Sequence, residues 1–175
     1  MISISPQAAT DQDPQARYSA SSARVDVFFT PDEDATAKIL SAIAKAKQEI
    51  RVQAYLFTSR KIANALIRAH GAGVSVEVIV DREQMERDGT PMVGELTAAG
   101  VPVFVDGVHA AAHNKIILID SNSERPVVVT GSYNFTVAAQ TKNAENVLII
   151  RNNRQLARNY HQHYEEHRLH SVRMQ

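Results

Sequence analysis

His113 and Lys115 are spaced to act together on a phosphate group. They open the pattern His113-x-Lys115-x-x-x-x-Asp120, and side chains two residues apart lie on the same face of a strand. A neutral imidazole can attack phosphorus to form a covalent phosphohistidine, while a neighbouring ammonium stabilises charge on the phosphoryl oxygens. We therefore predict His113 as the nucleophile and Lys115 as the phosphate-binding cation. Asp120 has the opposite parity, and we expect it to bind backbone or cationic groups that fix the strand end.

Two segments further along the chain supply polar groups for the same chemistry. In Gly131-Ser132-Tyr133-Asn134-Phe135, Ser132 and Asn134 share a face and offer a hydroxyl and an amide that can hold phosphate. Glu145, at the start of a later strand, can accept the Nδ1 proton of a histidine and so select its tautomer. The His-Lys-Asp triplet alone has roughly a one-in-eighty chance of arising in this composition. All three pieces in order are far less expected by chance.

Strands and helices must hold these residues, and the hydrophobic periodicity predicts them from Arg24 onward. Strands are expected at 24–29, 49–55, 74–80 and 101–105. Helices are expected between them, the first capped by Thr30 or Asp32 and running to about Gln48, the second capped by Ser59, and the third at Pro91 to Ala99. This alternation of strand and helix implies parallel strands with helices on their faces.

The pattern changes after Asp106, where the functional residues fall. Short strands at 114–120, 126–130 and 146–150 leave no room for long helices between them, which favours local antiparallel pairing. A last helix is expected from about Arg154 to His170. The sequence thus predicts an α/β fold with a mixed, largely parallel sheet, flanked by helices on both faces.

Composition is that of an ordinary globular domain. Hydrophobic residues make up 44% and charged residues 22% of the 175 residues, and a prior of roughly 100–200 residues per domain predicts one domain, residues 24–175. No apolar run reaches the roughly 20 residues that span a bilayer, so we expect a soluble protein. Because 19 Lys and Arg balance 19 Asp and Glu, a polyanion would need a local patch of positive charge. The absence of cysteine excludes disulfides, thiolate metal sites and cysteine nucleophiles.

Residues 1–23 are predicted to form a flexible leader. They are rich in Ser, Ala, Gln, Pro and Asp and lack hydrophobic periodicity. They also lack the basic start and the apolar stretch of roughly 7–15 residues that a secretory signal needs. Either the protein is intracellular or a signal peptide has been removed.

The ordered motifs resemble those of the phospholipase D superfamily, whose defining signature is the His-Lys-Asp pattern. The single motif, and the segment Ala54-Tyr55-Leu56-Phe57-Thr58, look like the small bacterial Nuc-type endonucleases over about Val25 to His167. The resemblance implies a phospholipase D-like fold and a phosphodiesterase that needs no metal or other cofactor. It implies nucleic acid as the substrate, with DNA favoured over RNA or single strands, and a periplasmic or secreted location if a signal has been removed.

The resemblance also implies a role for each matching residue. The expected catalytic residues are His113, Lys115 and Glu145; the expected phosphate-binding residues are Lys115, Ser132 and Asn134; and the expected structural residues are Asp120 and Gly131.

A chain with a single motif supplies only one of the two histidines that the reaction needs. Two-step displacement at phosphorus needs one histidine to attack and another to protonate the leaving oxygen. A two-fold symmetric dimer presents the same patch twice across its axis, so His113 of each subunit would meet at the interface. We therefore expect a homodimer.

The last predicted helix contains a competing metal motif. His163-x-x-Glu166-His167 matches the H-x-x-E-H zinc signature, but zinc catalysis needs a third protein ligand. His161 and His170 are nearby on the same helix, but neither has the position of a distant carboxylate ligand. The sequence therefore favours an amphipathic terminal helix, and no metal site is expected.

Two other functions remain as alternatives. A lipid phosphodiesterase would call for an apolar entrance or a membrane-binding stripe, which the sequence does not show, so no stable membrane association is expected. A dimeric nucleic-acid-binding module without turnover would not need the intact motif. Arg60, Lys61, Lys142 and Arg151 are candidates for a basic patch, although solvated surface charge is the simpler explanation of each.

Overall fold

The computed structural model describes residues 23–88 and 91–174, so the predicted leader lies outside the described residues except for Ala23. The described strands are β1 (Arg24–Thr30), β2 (Glu49–Ala54), β3 (Ser75–Asp81), β4 (Val103–Asp106), β5 (Lys115–Ile119), β6 (Val127–Gly131), β7 (Glu145–Arg151) and β8 (Val172–Arg173). They form one sheet in the order β1-β7-β6-β5-β2-β3-β4-β8.

The sheet is mixed, as expected, but the prediction that it is largely parallel is wrong. Only the pairs β2–β3 and β3–β4 are parallel, and every other neighbouring pair in the described sheet is antiparallel. Strands β1 to β4 do run in the same direction, as their alternation with helices predicted. However, the later strands β5, β6 and β7 insert between β1 and β2, so antiparallel neighbours replace the parallel pair that was expected there.

Helices cover both faces of this sheet. The described helices are α1 (Ala35–Ile43), α2 (Arg60–Gly71), α3 (Arg82–Asp88), α4 (Pro91–Ala98), α5 (Val137–Thr141) and α6 (Arg154–His170). Ser59 caps α2 as predicted, its side chain accepting a hydrogen bond from Ile62 N. The cap of α1 is Asp34, which accepts from Ala37 N at 2.9 Å, instead of Thr30 or Asp32. None of the described helices is long and apolar enough to cross a membrane.

The side chains of β5 divide the core between the two faces. Ile117 and Ile119 belong to the larger cluster, which includes buried residues of α1, α2 and α4. Ile116 and Leu118 belong to the smaller cluster on the opposite face, which includes Tyr164 of α6. Every residue of β5 is buried, because the strand lies inside the sheet and is covered on both faces.

Asp120 fixes the far end of β5. Its buried carboxylate accepts hydrogen bonds from the backbone N–H groups of Lys47, Gln48 and Glu49, the shortest at 2.7 Å to Gln48 N. These are the backbone partners that the sequence predicted for Asp120. After Ile43 the chain tightens, with Lys45 N and Ala46 N bonded to the carbonyl oxygens of Ala42 and Ile43. The amides of Lys47 and Gln48, which a helix running to Gln48 would use, bind this carboxylate instead.

Replacing Asp120 tests this anchor. In Asp120→Asn the side-chain oxygen retains only part of the carboxylate's acceptor capacity, and the new NH₂ group faces backbone donors. We expect a loss of about 1–3 kcal/mol in the free energy of unfolding, measured by urea denaturation. The matched control is Asp32→Asn, at an exposed position, which should change stability little. Equal stability of the two variants would contradict the anchoring role.

Candidate active site

Most of the predicted site residues gather where four neighbouring strands begin or end, whereas Asp120 lies at the other end of β5. Lys115 begins β5 opposite Ala54 at the end of β2, and Gly131 ends β6 opposite Val147 near the start of β7. His113, Lys115 and Ser132 line one open cleft of about 400 Å³ at this edge of the sheet, and α6 contributes Tyr160 and His163 to it.

His113 and Lys115 are in direct contact. The Lys115 Nζ atom lies 3.0 Å from His113 Nδ1 and donates to the carbonyl oxygen of His113 at 2.6 Å. The aromatic ring of Tyr55 packs against both, with 4.2 Å between the ring centroids of Tyr55 and His113 and 4.6 Å from Lys115 Nζ to the Tyr55 centroid. The predicted pairing of imidazole and ammonium on one face is therefore present.

The amine of Lys115 is buried without a counter-ion. The residue is only 7% exposed, and no carboxylate of the described residues lies within ion-pair distance of its Nζ atom. Burial lowers the pKa of Lys115 to about 8, an effect that the more distant Glu145 carboxylate partly offsets. The site thus holds a cation that is desolvated and close to its titration point, beside an open cleft.

Ser132 and Glu145 form a second linked pair. The Ser132 hydroxyl donates to Glu145 Oε2 at 2.5 Å and accepts from Asn146 N at 3.1 Å, while Glu145 Oε1 accepts from Asn143 Nδ2 at 3.0 Å. Gly131 allows this close approach of β6 and β7. Its φ is +146°, and a side chain at this position would collide with the carbonyl oxygen of Asn146.

Within the described single chain Glu145 does not bind His113, since His113 Nδ1 faces Lys115 and Glu145 accepts from Ser132 and Asn143. An ammonium can only donate, so this contact makes Nδ1 the acceptor and leaves the proton of a neutral ring on Nε2. In this tautomer Nε2 has no lone pair free to attack phosphorus.

Asn134 is near the site in sequence but contacts none of the other predicted site residues. It is half-buried, and its Oδ1 atom is buried without a hydrogen-bond partner. The next residue, Phe135, bonds through its backbone to Leu56, Thr58 and Ser59, which ties this segment to the end of β2. A buried amide oxygen without a hydrogen-bond donor is unusual in a folded protein.

Known proteins are similar to this chain both in sequence and in fold. Residues 39–168 match the family described as cardiolipin synthase, PLD-like domain. The chain belongs to the phospholipase D superfamily. The crystal structure of the phospholipase D family member Nuc from Salmonella typhimurium superposes with a TM-score of 0.79 at 33% identity, covering 87% of this chain and 99% of that one.

Curated relatives carry lipid-related names. The phospholipase D of Rickettsia typhi is 40% identical over 140 residues, which are 80% of this chain and 66% of that protein. The mitochondrial cardiolipin hydrolase of Xenopus tropicalis is 32% identical over 133 residues, which are 76% of this chain and 60% of that protein. This superfamily member therefore spans about two thirds or less of these relatives' lengths.

Three residues of the site were missed by the sequence prediction. Tyr55 was noted only as part of the superfamily resemblance, although its position at the end of β2 could have placed it beside β5. Tyr160 and His163 line the cleft from α6, and only the packing of α6 on the sheet brings them there. Burial lowers the pKa of His163, and the nearby His167 adds to the effect.

None of the four candidates for a basic patch lines the cleft. Arg60 pairs with Glu95 at 2.7 Å, and Arg151 pairs with Asp26 at the opposite end of β7 from Glu145. Lys142 follows α5, directly before Asn143 and three residues before Glu145 of the site region. Of the charges expected to attract a polyanion, Lys115 is therefore the one that faces the cleft.

The low pKa of Lys115 can be measured directly. After ¹³C-methylation of the lysine amines, an NMR titration should show one resonance with a midpoint near 8, absent from Lys115→Arg. Below that pH the amine carries its charge, and above it the charge is lost. In Glu145→Gln the midpoint should fall further, because the carboxylate that favours the charged form is removed. A Lys115 midpoint near 10, as for an exposed lysine, would refute the desolvated state.

Proposed function

We propose that this protein is a phosphodiesterase that hydrolyses nucleic acid, with DNA as the favoured substrate, through a covalent phosphohistidine at His113. The observation that carries the proposal is the buried Lys115 amine, held 3.0 Å from His113 without a counter-anion and beside an open cleft. A phosphodiester supplies the missing negative charge. The resemblance to Nuc-type endonucleases supports nucleic acid as its source.

Substrate binding would also change the role of His113. A phosphate oxygen that takes the Lys115 ammonium as its donor competes with His113 Nδ1 for that contact. Once released, Nδ1 can carry the ring proton, and the lone pair of Nε2 becomes available for attack. Glu145 is the proposed acceptor for the Nδ1 proton in this state, while Ser132 and Asn134 bind the phosphate.

Hydrolysis then proceeds in two balanced steps. His113 Nε2 forms a bond to phosphorus as the P–O ester bond breaks, and the leaving oxygen takes a proton from the imidazolium of the partner's His113. Water then attacks phosphorus and gives a proton to the partner's His113, while the P–N bond breaks and frees the nucleophile. Two histidines are needed and each chain supplies one motif, so we propose a homodimeric active site.

Cleavage assays test the nucleophile. We expect EDTA-resistant cleavage of plasmid and single-stranded DNA, reduced at least about a thousandfold in His113→Ala and in Lys115→Ala. His70→Ala, on α2, is the matched control and should cleave normally. Denaturation at alkaline pH preserves the acid-labile P–N bond, and peptide mass spectrometry should then find a nucleotide attached through its phosphate to the His113 peptide. Undiminished cleavage by His113→Ala would refute the mechanism, and retention of DNA binding without turnover would favour the binding-module alternative.

The curated relatives make a lipid substrate the second candidate, and the same assay separates the two. The large hydrophobic side chains that are exposed on the described surface are Val25, Val27, Phe29, Val108, Val137, Leu169 and Val172, none of which lines the cleft. We therefore expect cardiolipin vesicles to be hydrolysed much more slowly than DNA. Faster turnover of cardiolipin would assign the site to lipid.

Mixing subunits tests the shared active site. If each site needs His113 from both chains, a heterodimer of wild-type and His113→Ala chains is inactive. After subunit exchange in an equal mixture, about one quarter of the dimers contain two wild-type chains. The activity should therefore be about one quarter of that of pure wild-type protein at the same total protein concentration. Independent monomers would retain one half. A chain that sediments as a monomer with full activity would also overturn the dimeric site.

A further inference from the structure

Three histidines converge on one buried carboxylate away from the cleft. Asp106 ends β4, His109 follows in the next loop, and His167 and His170 lie in the last turn of α6. Asp106 Oδ2 is 2.7 Å from His167 Nδ1, 3.0 Å from His109 Nδ1 and 3.2 Å from His170 Nε2. One ligand atom from each of the four residues lies within 4.8 Å of all the others.

Hydrogen bonding alone accounts poorly for this arrangement. A carboxylate oxygen has two lone pairs, yet three ring nitrogens approach Oδ2, and the other oxygen of Asp106 already accepts from Val108 N at 3.1 Å. Three ring nitrogens therefore crowd one buried carboxylate oxygen, which is more than its two lone pairs can accept from.

We propose that Asp106, His109, His167 and His170 bind one divalent transition-metal ion, with Zn²⁺ as the best match. Imidazole nitrogen and carboxylate oxygen are zinc ligands, and bonds of about 2.0–2.2 Å place tetrahedral ligand atoms about 3.3–3.5 Å apart. The observed separations reach this arrangement with small side-chain movements. Four protein ligands fill a tetrahedron, so the site is structural and not catalytic.

The surroundings of the cluster suit an ion that enters from solvent. The Asp106 side chain is fully buried and that of His167 is 9% exposed, whereas His170 and His109 are 30% and 45% exposed. The inner ligands are therefore held by the fold and the outer two can close over the ion. This set shares only His167 with the H-x-x-E-H motif, because the carboxylate comes from β4 and not from Glu166.

The proposed ion would connect the two walls of the catalytic cleft. His109 lies four residues before His113 in the loop between β4 and β5, and His167 is on α6. The ring of His167 packs edge-on against His163, with centroids 4.5 Å apart, and His163 lines the cleft. Binding at the cluster would therefore hold the loop that carries His113 against α6 without placing the metal at the reacting phosphate.

Metal titration of the full-length chain tests the proposal without any substrate. After removal of metals by chelation, we expect one Co²⁺ per chain to give the visible bands of tetrahedral coordination, one Zn²⁺ to displace it, and Zn²⁺ to raise Tm. His109→Gln and His170→Gln should each weaken Zn²⁺ binding at least tenfold. Both positions are partly exposed, so the metal-free variants should match the metal-free wild type in circular dichroism and Tm.

Two control variants make the outcome specific. His70→Gln, on the distant α2, should bind Zn²⁺ like wild type. Unchanged affinity in both His109→Gln and His170→Gln would overturn the proposal, as would a wild-type chain without tetrahedral Co²⁺ bands. Loss of binding in His163→Gln with retention in His170→Gln would also overturn it, in favour of the H-x-x-E-H pair. The outcome is independent of nucleic-acid cleavage, because binding is measured in its absence.

Discussion

The site depends on one energetic conflict, the burial of the Lys115 amine without an anion beside it. Moving an ammonium out of water costs free energy unless an opposite charge or strong acceptors replace the water. Here the replacements are a backbone carbonyl, the Nδ1 atom of His113 and the face of the Tyr55 ring. These contacts stabilise the buried ammonium less than an ion pair would, so burial lowers the pKa of Lys115. The uncompensated positive charge also favours the binding of a phosphate.

The fold tolerates this conflict because β5 is held strongly elsewhere. Asp120 binds three consecutive backbone amides at the far end of the strand, and apolar side chains pack on both faces between the two ends. A strand with five buried residues cannot shift register without moving Lys115 and Asp120 together. The well-bonded end of β5 therefore holds in place the end at which the Lys115 amine is buried without an anion.

The sequence predicted the residues of the site better than the order of the strands. Strand parity correctly placed His113 and Lys115 together and Asp120 apart, because these relations are local. Local periodicity also gave the directions of β1 to β4. It could not reveal that β5, β6 and β7 insert between β1 and β2, since strand order is a matter of long-range pairing. Local spacing also could not show that Lys115, and not Glu145, is the neighbour of His113 Nδ1 in the single chain.

Long-range packing also explains why the cluster of three histidines around Asp106 was not predicted from the sequence. His167 and His170 were recognised on the last helix, and a zinc site was set aside for want of a distant carboxylate. That carboxylate is Asp106, some sixty residues earlier in the sequence, and only the packing of α6 across the sheet brings it into reach. Spacing rules detect ligands on one element, whereas a site assembled from a strand end, a loop and a helix has no fixed spacing.

Two buried aspartates show how the fold positions His113. Asp81 and Asp106 end the parallel strands β3 and β4 and are directly paired in register. Asp106 accepts from Val108 N at the start of the loop before β5, and Asp81 accepts from Ala112 N at its end, at 2.7 Å. Neither carboxylate touches the cleft, yet together they fix both ends of the loop that delivers His113. Because both acceptors are charged and buried, these hydrogen bonds are of the stronger class. The carboxyl ends of the parallel strands β3 and β4 therefore set the position of His113. The antiparallel strand β5, which follows, supplies its neighbour Lys115.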